Sequence, residues 1–430
     1  MIKKIFSIVF RAVYAFSGLA LTFFLARNLN IEVFAYYNGV ASLVSIAMPL
    51  MAMASSSVIM RQGLSSDIYR NNRFVRVVKF ELLLSLVVIF FFGIFFGFSL
   101  YFWVVLISGV NIIIFSYSEL NRSQKFFYKS FLYGNGAPST AVLAQGLVSL
   151  LFAFIIIFVF SVKENGELLC VFMAANLSAL VAPVISIYFK NCFNAKINIK
   201  WIVSYLKLGV PISISGLLFS VISVQEILFL KYFSNDSNLA EYSLLTRVTS
   251  VILVVFTVFS TFSQPYFLAL FKKIQLEKNI KSIRYFGLSS FFLCFFVYVF
   301  LSIYGKDVIC YFGGDKFCSI DQTPIYIRGF ALLIYAGFGF SASVLMIVPG
   351  GGRVLVVRSL ISILIFWISA FFLPVHNIQN KISLSFLLSY VIYAIILYGS
   401  LKLKTGYSFS IFENIRWIIN DRKITISGPG

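Results

Sequence analysis

The basic residues of this chain fall into every second gap between its apolar stretches, and that spacing admits very few folds. One alternate set of gaps holds Lys3, Lys4 and Arg11, then Arg61, Arg70, Arg73, Arg76 and Lys79, then Arg122, Lys125 and Lys129, then Lys190, Lys196, Lys200 and Lys207. The set continues with Lys272, Lys273, Lys278, Lys281 and Arg284, then Arg353 and Arg358, and last Lys402, Lys404, Arg416, Arg422 and Lys423. Of the 35 lysines and arginines only Arg27, Lys163, Lys231, Arg247, Lys306, Lys316, Arg328 and Lys381 fall on the other side. Helices inserted into a bilayer keep Lys and Arg on the cytoplasmic face, so both termini are expected there.

The composition agrees. Apolar residues make up 60% of the chain and charged residues 12%, about half the charge a soluble surface carries. A net charge of +20 would suggest nucleic acid in a soluble protein. Here the cations flank apolar spans, where anionic head groups attract each of them by about 1 kcal/mol, and no nucleic-acid partner is expected. The basic, apolar N-terminus lacks a small-residue cleavage site after Arg27 and is expected to be a retained helix. Ser427 to Gly430 are expected to be a remnant foreign to the fold.

Twelve apolar segments are long enough to cross about 30 Å of hydrocarbon as helices. Their approximate bounds are 5–27, 34–60, 77–98, 100–119, 137–160, 167–189, 206–231, 242–270, 285–304, 323–348, 354–374 and 383–403. The sequence thus predicts an all-α integral membrane fold with residues 1–195 as an N-terminal lobe, 196–405 as a C-terminal lobe and 406–430 as a cytoplasmic amphipathic tail. The halves look alike at an offset of 205: Phe24-Leu25 matches Phe229-Leu230, Ala35 matches Ala240, Tyr37 matches Tyr242 and Ser45 matches Ser250. Six spans per half make this a parallel repeat about a pseudo-two-fold axis along the membrane normal, with a central cavity expected between the halves.

Polar groups at bilayer depth mark function, because even lenient scales set the cost of a charge there at about 2.5–3.5 kcal/mol. Four stripes at helical spacing stand out: Ser7, Arg11, Tyr14, Gly18 and Thr22; Asn38, Ser42, Ser45 and Pro49; Ser213, Gly216, Ser220, Ser223 and Glu226; and Arg247, Ser250, Thr257, Thr261 and Gln264. Ser108, Asn111 and Ser118 add a fifth. The hydroxyls and glycines equally suit close helix packing in lipid. The ions suit it less. Arg11, Arg247 and Arg328 are candidate cavity cations, with Asn38, Asn111 and Gln225 as polar lining. Glu226, the one acid well inside a span, either takes a coupling ion (H+ or Na+) or pairs with an arginine or with Lys231. An interior richer in arginine than in acid favours anionic cargo over cationic drugs.

Cys310 and Cys318 share a segment on the outer side, where a disulfide is permitted and two unpaired thiols are the simpler reading. The single His376 has no companions at metal-ligand spacing, so neither a metal nor another cofactor is expected.

Four segments carry a family resemblance: FFLARNLNIEVFAYYNGVASL across the first outer turn, KWIVSYLKLGVPISISGLL opening the seventh span, QEILFLKYFSNDSNLAEYSLLTRV across the corresponding turn, and VICYFGGDKF before the tenth span. Through them the chain resembles the multidrug/oligosaccharidyl-lipid/polysaccharide superfamily and, within it, the Wzx-type O-antigen flippases. The resemblance covers nearly all of residues 1–405 and rests mostly on apolar spacing. It implies two six-helix lobes forming a V, with the first, second, seventh and eighth helices around the cavity.

It also implies transport of undecaprenyl-pyrophosphate-linked oligosaccharide across a bacterial inner membrane, in contact with its lipids and with other polysaccharide-assembly proteins. Relatives commonly have Asp followed by a basic residue in the seventh span, where this chain has Glu226 followed by Ile227. Two rivals remain: a membrane-embedded O-antigen polymerase or ligase, which would need a larger outer loop bearing a general base, and a drug exporter of the same superfamily.

Overall fold

The protein is described by a computed structural model that covers residues 19–51, 199–271, 276–347, 350–405 and 409–426. The third to sixth expected spans, the lobe boundary at 195–196, and Arg11 and Asn111 lie outside these residues. The described chain is helical, with no strand among the described residues: residues 19–28 (α1), then α2 (Ile31–Met51), α3 (Ile199–Phe233), α4 (Asp236–Thr249), α5 (Val251–Phe271) and α6 (Leu276–Gly313). A 3-10 turn at Asp315–Phe317 follows, then α7 (Thr323–Phe338), α8 (Phe340–Ile347), α9 (Gly351–Phe372), α10 (Ile378–Thr405) and α11 (Ile411–Ile426).

Five described stretches are long and apolar enough to span a bilayer: Gly209–Phe233, Asp236–Ser260, Asn279–Gly313, Gly351–Phe372 and Ile378–Lys404. The protein is a multi-pass membrane protein. Its helices hold their own backbone donors and acceptors, which lipid cannot satisfy. The described residues form two compact units: Met1–Leu244 with Tyr311–Phe317, and Leu245–Cys310 with Cys318–Gly430.

In the first unit the repeat offset reappears in the backbone. Helix α1 ends at residue 28 and α2 begins at Ile31, while α3 ends at Phe233 and α4 begins at Asp236, each shifted by 205. Asn30 and Asn235 occupy the same place at the two turns. Phe34 N–H donates to the Asn30 carbonyl at 2.9 Å, and Leu239 N–H to the Asn235 carbonyl at 3.1 Å. An asparagine side chain offers an oxygen to the open N–H groups of a helix start, and Asn235 Oδ1 accepts from Asn238 N–H at 2.9 Å. Ala35 and Ala240, paired by the offset, are both fully buried. Helix α2 packs along α3, where the side chain of Lys231 lies against Gly39, 3.3 Å from the place of a Cβ.

Residues Tyr311–Phe317 belong to this unit. Phe317 is fully buried with its ring edge-on to Phe34 at 5.9 Å, and Phe312 lies 5.0 Å from Phe23. The Lys316 ammonium donates to the Leu29 carbonyl, and burial pulls it below the ordinary lysine range. Gly313 admits no side chain, since a Cβ would lie 2.7 Å from Leu244 Cδ2, and Gly314 turns the chain at φ 91°. Beyond the expected end of the ninth span at residue 304, α6 continues to Gly313. Of the two readings left open for Cys310 and Cys318, the structure has the disulfide, with Cα atoms 4.4 Å apart.

In the second unit α10 packs against α7 and α9, and α5 packs against α7 and α8. Ser362 and Ser389 join α9 to α10 through hydroxyls 2.7 Å apart, each hydroxyl also donating to the other's carbonyl. Small hydroxyl residues let helices approach closely in lipid while satisfying one another. Tyr335, Tyr390, Tyr393 and Phe386 fill the adjoining interior.

One expected span is interrupted and another is only locally irregular. The eighth runs on through Ser250, whose N–H donates to the Thr246 carbonyl and whose carbonyl accepts from Val254, each at 3.0 Å. The tenth breaks at Gly339, where a Cβ would meet Phe256 Cζ at 2.6 Å and the Tyr335 carbonyl oxygen at 2.8 Å. The eleventh ends where Pro374 forces Leu373 into an extended conformation.

Candidate functional site

The first unit buries an acid. Glu226, two turns before the end of α3, has no solvent exposure, and its Oε1 accepts a hydrogen bond from the Tyr242 hydroxyl of α4 at 2.5 Å. The turn through Ser234 and Asn235 brings the two helices back to back and makes that approach possible. Gln225 is equally buried, and on α2 Asn38 is 1% exposed, donating through Nδ2 to the Phe34 carbonyl at 2.8 Å. Among the described residues Asn38 Oδ1 has no hydrogen-bond partner. Sequence reasoning points to an arginine or Lys231 as partner of Glu226. One partner that the structure gives Glu226 is Tyr242, which the sequence marks only as the repeat match of Tyr37.

The second unit holds the two described arginines of the candidate set, and it treats them differently. Arg328 of α7 is 3% exposed. Its Nη1 donates to the Thr246 carbonyl at 3.2 Å and to the Thr249 hydroxyl, and its guanidinium lies 4.8 Å from the centre of the Phe386 ring. It braces the last turn of α4, sharing the Thr246 carbonyl with the Ser250 N–H. Arg247 sits in that same turn, half-buried, and among the described residues its guanidinium has no hydrogen-bond or ion-pair partner. The Ser250 hydroxyl donates to the Arg247 carbonyl at 2.6 Å, where α4 passes into α5. One arginine thus steadies the turn that presents the other.

The stripes divide similarly. Ser42 and Ser213 are buried, and Ser45, Ser220, Ser223 and Ser250 are half-buried, whereas Thr257 is exposed and donates to its own helix at Leu253. Sequence reasoning missed the clamp by Arg328 on Thr246 and Thr249. Nothing in the sequence pairs Arg328 with those two hydroxyl residues.

No family profile and no curated protein sequence matches the chain. Solved structures match it over nearly its whole length. Lipid II flippase MurJ in an inward closed conformation matches with a TM-score of 0.66 and 15% identity, covering 92% of this chain and 88% of that one. An inward-facing multidrug resistance MATE family transporter of the MOP superfamily matches with a TM-score of 0.59 and 13% identity, covering 92% and 96%. A point mutant of the Vibrio cholerae MATE transporter VcmN matches with a TM-score of 0.60 and 13% identity, covering 93% and 96%. The chain therefore shares the fold of these transporters and of this flippase.

Proposed function

We propose that the chain is a flippase for a polyprenyl-pyrophosphate-linked oligosaccharide of the O-antigen repeat-unit kind, moving it from the cytoplasmic to the periplasmic leaflet of a bacterial inner membrane. A likeness to a lipid II flippase covering 92% of the chain carries this reading. The chemistry of the described interior supports it. The Arg247 guanidinium is uncommitted among the described residues, and a guanidinium matches a diphosphate in bidentate fashion.

In this reading Arg247 and Arg11 bind the pyrophosphate, Arg328 positions the turn that carries Arg247, and Asn38, Asn111 and Gln225 meet the sugars. The polyprenyl tail stays in lipid. Glu226 binds the coupling H+ or Na+, with Tyr242 holding its carboxylate in place. Alternating access then exposes the head group on the other side.

A drug exporter is the second reading, favoured by the MATE transporters among the structural matches. One experiment separates the two. Polyprenyl-linked intermediates are extracted from a deletion strain, the accumulated glycan is identified by mass spectrometry, and its leaflet is assigned. Single repeat units held on the inner leaflet, cleared by the native chain and not by Arg247→Ala, support the flippase. Normal intermediates together with raised sensitivity to cationic drugs would establish the exporter. Translocated but unpolymerised units would point to a polymerase.

A further inference from the structure

Helix α11 is amphipathic, and its two faces meet different surroundings. The inner face is seated in the second unit. Ile411 and Asn414 are 7% and 2% exposed, the Ile411 Cγ2 atom lies 3.4 Å from the Cβ place of Gly337, and Phe412 touches Phe338 at 6.2 Å between ring centres. Glu413 is taken up locally: its carboxylate accepts from the Tyr398 hydroxyl at 2.7 Å and lies 3.9 Å from Lys402 Nζ, and its carbonyl accepts from Arg284 at 3.3 Å.

The outer face is open. Ile415 and Ile419 are 40% and 52% exposed, Phe412 at its edge is 71% exposed while keeping its contact with Phe338, and Leu403 at the end of α10 is 90% exposed. Cations border these apolar groups. Lys281 and Arg284 lie over the Trp417 ring at 5.8 and 5.4 Å, and Lys402, Lys404 and Arg416 are exposed.

Bulk water disfavours this apolar surface, and hydrocarbon disfavours the cations. The boundary between head groups and acyl chains suits both. Glu413 offsets Lys402, and Lys281, Lys404 and Arg416 leave the border of this face positive. That leaves one complementary occupant.

We infer that the outer face of α11 binds the anionic phospholipid head groups of the leaflet it adjoins, and that this contact steadies the interruption of the tenth span at Gly339. The second part follows from the seat. Ile411 and Phe412 bear on Gly337 and Phe338, the last residues of α7 before that interruption. Lipid composition in this leaflet therefore reaches a helix break inside the membrane through two side chains. The inference does not depend on the cargo.

Trp417 reports on it directly. The full chain is reconstituted in bilayers containing brominated phosphatidylglycerol or brominated phosphatidylcholine at equal mole fraction, and the signal of a Trp417→Phe variant is subtracted to remove the other three tryptophans. Quenching should be several-fold stronger with phosphatidylglycerol. It should level toward the phosphatidylcholine value at about 0.5 M salt, where screening is nearly complete. A Lys281→Gln, Lys402→Gln, Arg416→Gln variant should lose the difference while α11 stays quenched by both lipids.

Amide exchange over Tyr335 to Ala342 should slow in the phosphatidylglycerol bilayer. Equal quenching by the two lipids in the native chain, or a preference that survives salt, overturns the head-group contact. Unchanged exchange across Gly339 overturns the coupling to the break. The salt series and the exchange measurement use the native chain, so neither depends on the variants folding.

Discussion

The Tyr242 hydroxyl donates to Glu226 Oε1 at 2.5 Å, and neither residue has any exposure to solvent. Removing that donor strips a hydrogen bond from a buried carboxyl group. Tyr242→Phe should destabilise the protein by about 1–3 kcal/mol, measured by thermal unfolding in detergent. Glu226→Gln keeps the acceptor and the shape, so it should unfold near the native temperature. In proteoliposomes it should transport without responding to an imposed ion gradient.

Arg247 and Arg328 should separate in their effects. Arg328→Ala leaves the Thr246 carbonyl without its charged donor and opens space beside Phe386, a loss of about 1.5–3 kcal/mol or more. Arg247→Ala should leave the unfolding temperature within about a degree of native, as expected for a surface-type change, while export of lipid-linked glycan falls at normal protein levels. The opposite pairing of effects would exchange the roles assigned to the two residues.

Two glycines set a contrast. A Cβ on Gly351 would lie 1.8 Å from the Leu345 carbonyl oxygen, whereas a Cβ on Gly399 meets nothing within 4 Å. Gly351→Ala should therefore lower yield and stability severely, because backbone rather than a movable side chain must give way. Gly399→Ala, inside α10, should stabilise by about 0.5–1 kcal/mol through helix propensity. Unfolding curves of the two variants in parallel check both.

Breaking the Cys310–Cys318 bond should loosen the Tyr311–Phe317 segment. A short closed loop of this kind contributes about 2–3 kcal/mol in the chain-entropy account. Reductant should lower the unfolding temperature of the native chain and leave a Cys310→Ser, Cys318→Ser variant unmoved. Amide exchange at Phe317, now buried against Phe34, should rise in step.

Asp321 supplies a pH dependence. The Thr323 backbone N–H, then the Thr323 hydroxyl and Asn380, donate to its carboxylate and hold its pKa below the ordinary 3.8. Its folded value lies below its unfolded value, so its stabilising contribution is complete above about pH 4 and is lost as pH falls through the folded value. Asp321→Asn should thus unfold earlier than native at pH 7, and the gap should close in acid below about pH 4. A gap of constant size from neutral pH to acid would remove the carboxylate from this role.

Much of the fold was legible because a bilayer leaves so few options. Apolar runs of about twenty residues located the described spans, and the offset of 205 that aligned Ala35 with Ala240 also aligned the helix ends at 28 and 233. The interruption was less legible. Gly339 sits inside a largely apolar run, and only the ring of Phe256 against it shows why the tenth span is split there.

The candidate residues were legible as residues, not as partnerships. Deep arginines at similar depth gave no means of knowing that Arg328 would find Thr246 and Thr249 on another helix while Arg247 would not. The Glu226 partner was hidden for the same reason. The sequence marked Glu226 by its charge and Tyr242 as the repeat match of Tyr37, and the contact between them depends on the turn at Ser234 and Asn235.

The disulfide at the end of α6 also bears on orientation. Such bonds persist where the surroundings are oxidising, and α6 runs without interruption from Leu276 to Gly313, roughly 57 Å at 1.5 Å per residue. That length exceeds the bilayer, so Cys310 near one end and Lys281 near the other are expected in different compartments. Mass spectrometry of intact cells, with thiols blocked before lysis, would read the direction of insertion from one covalent bond, without counting a single lysine.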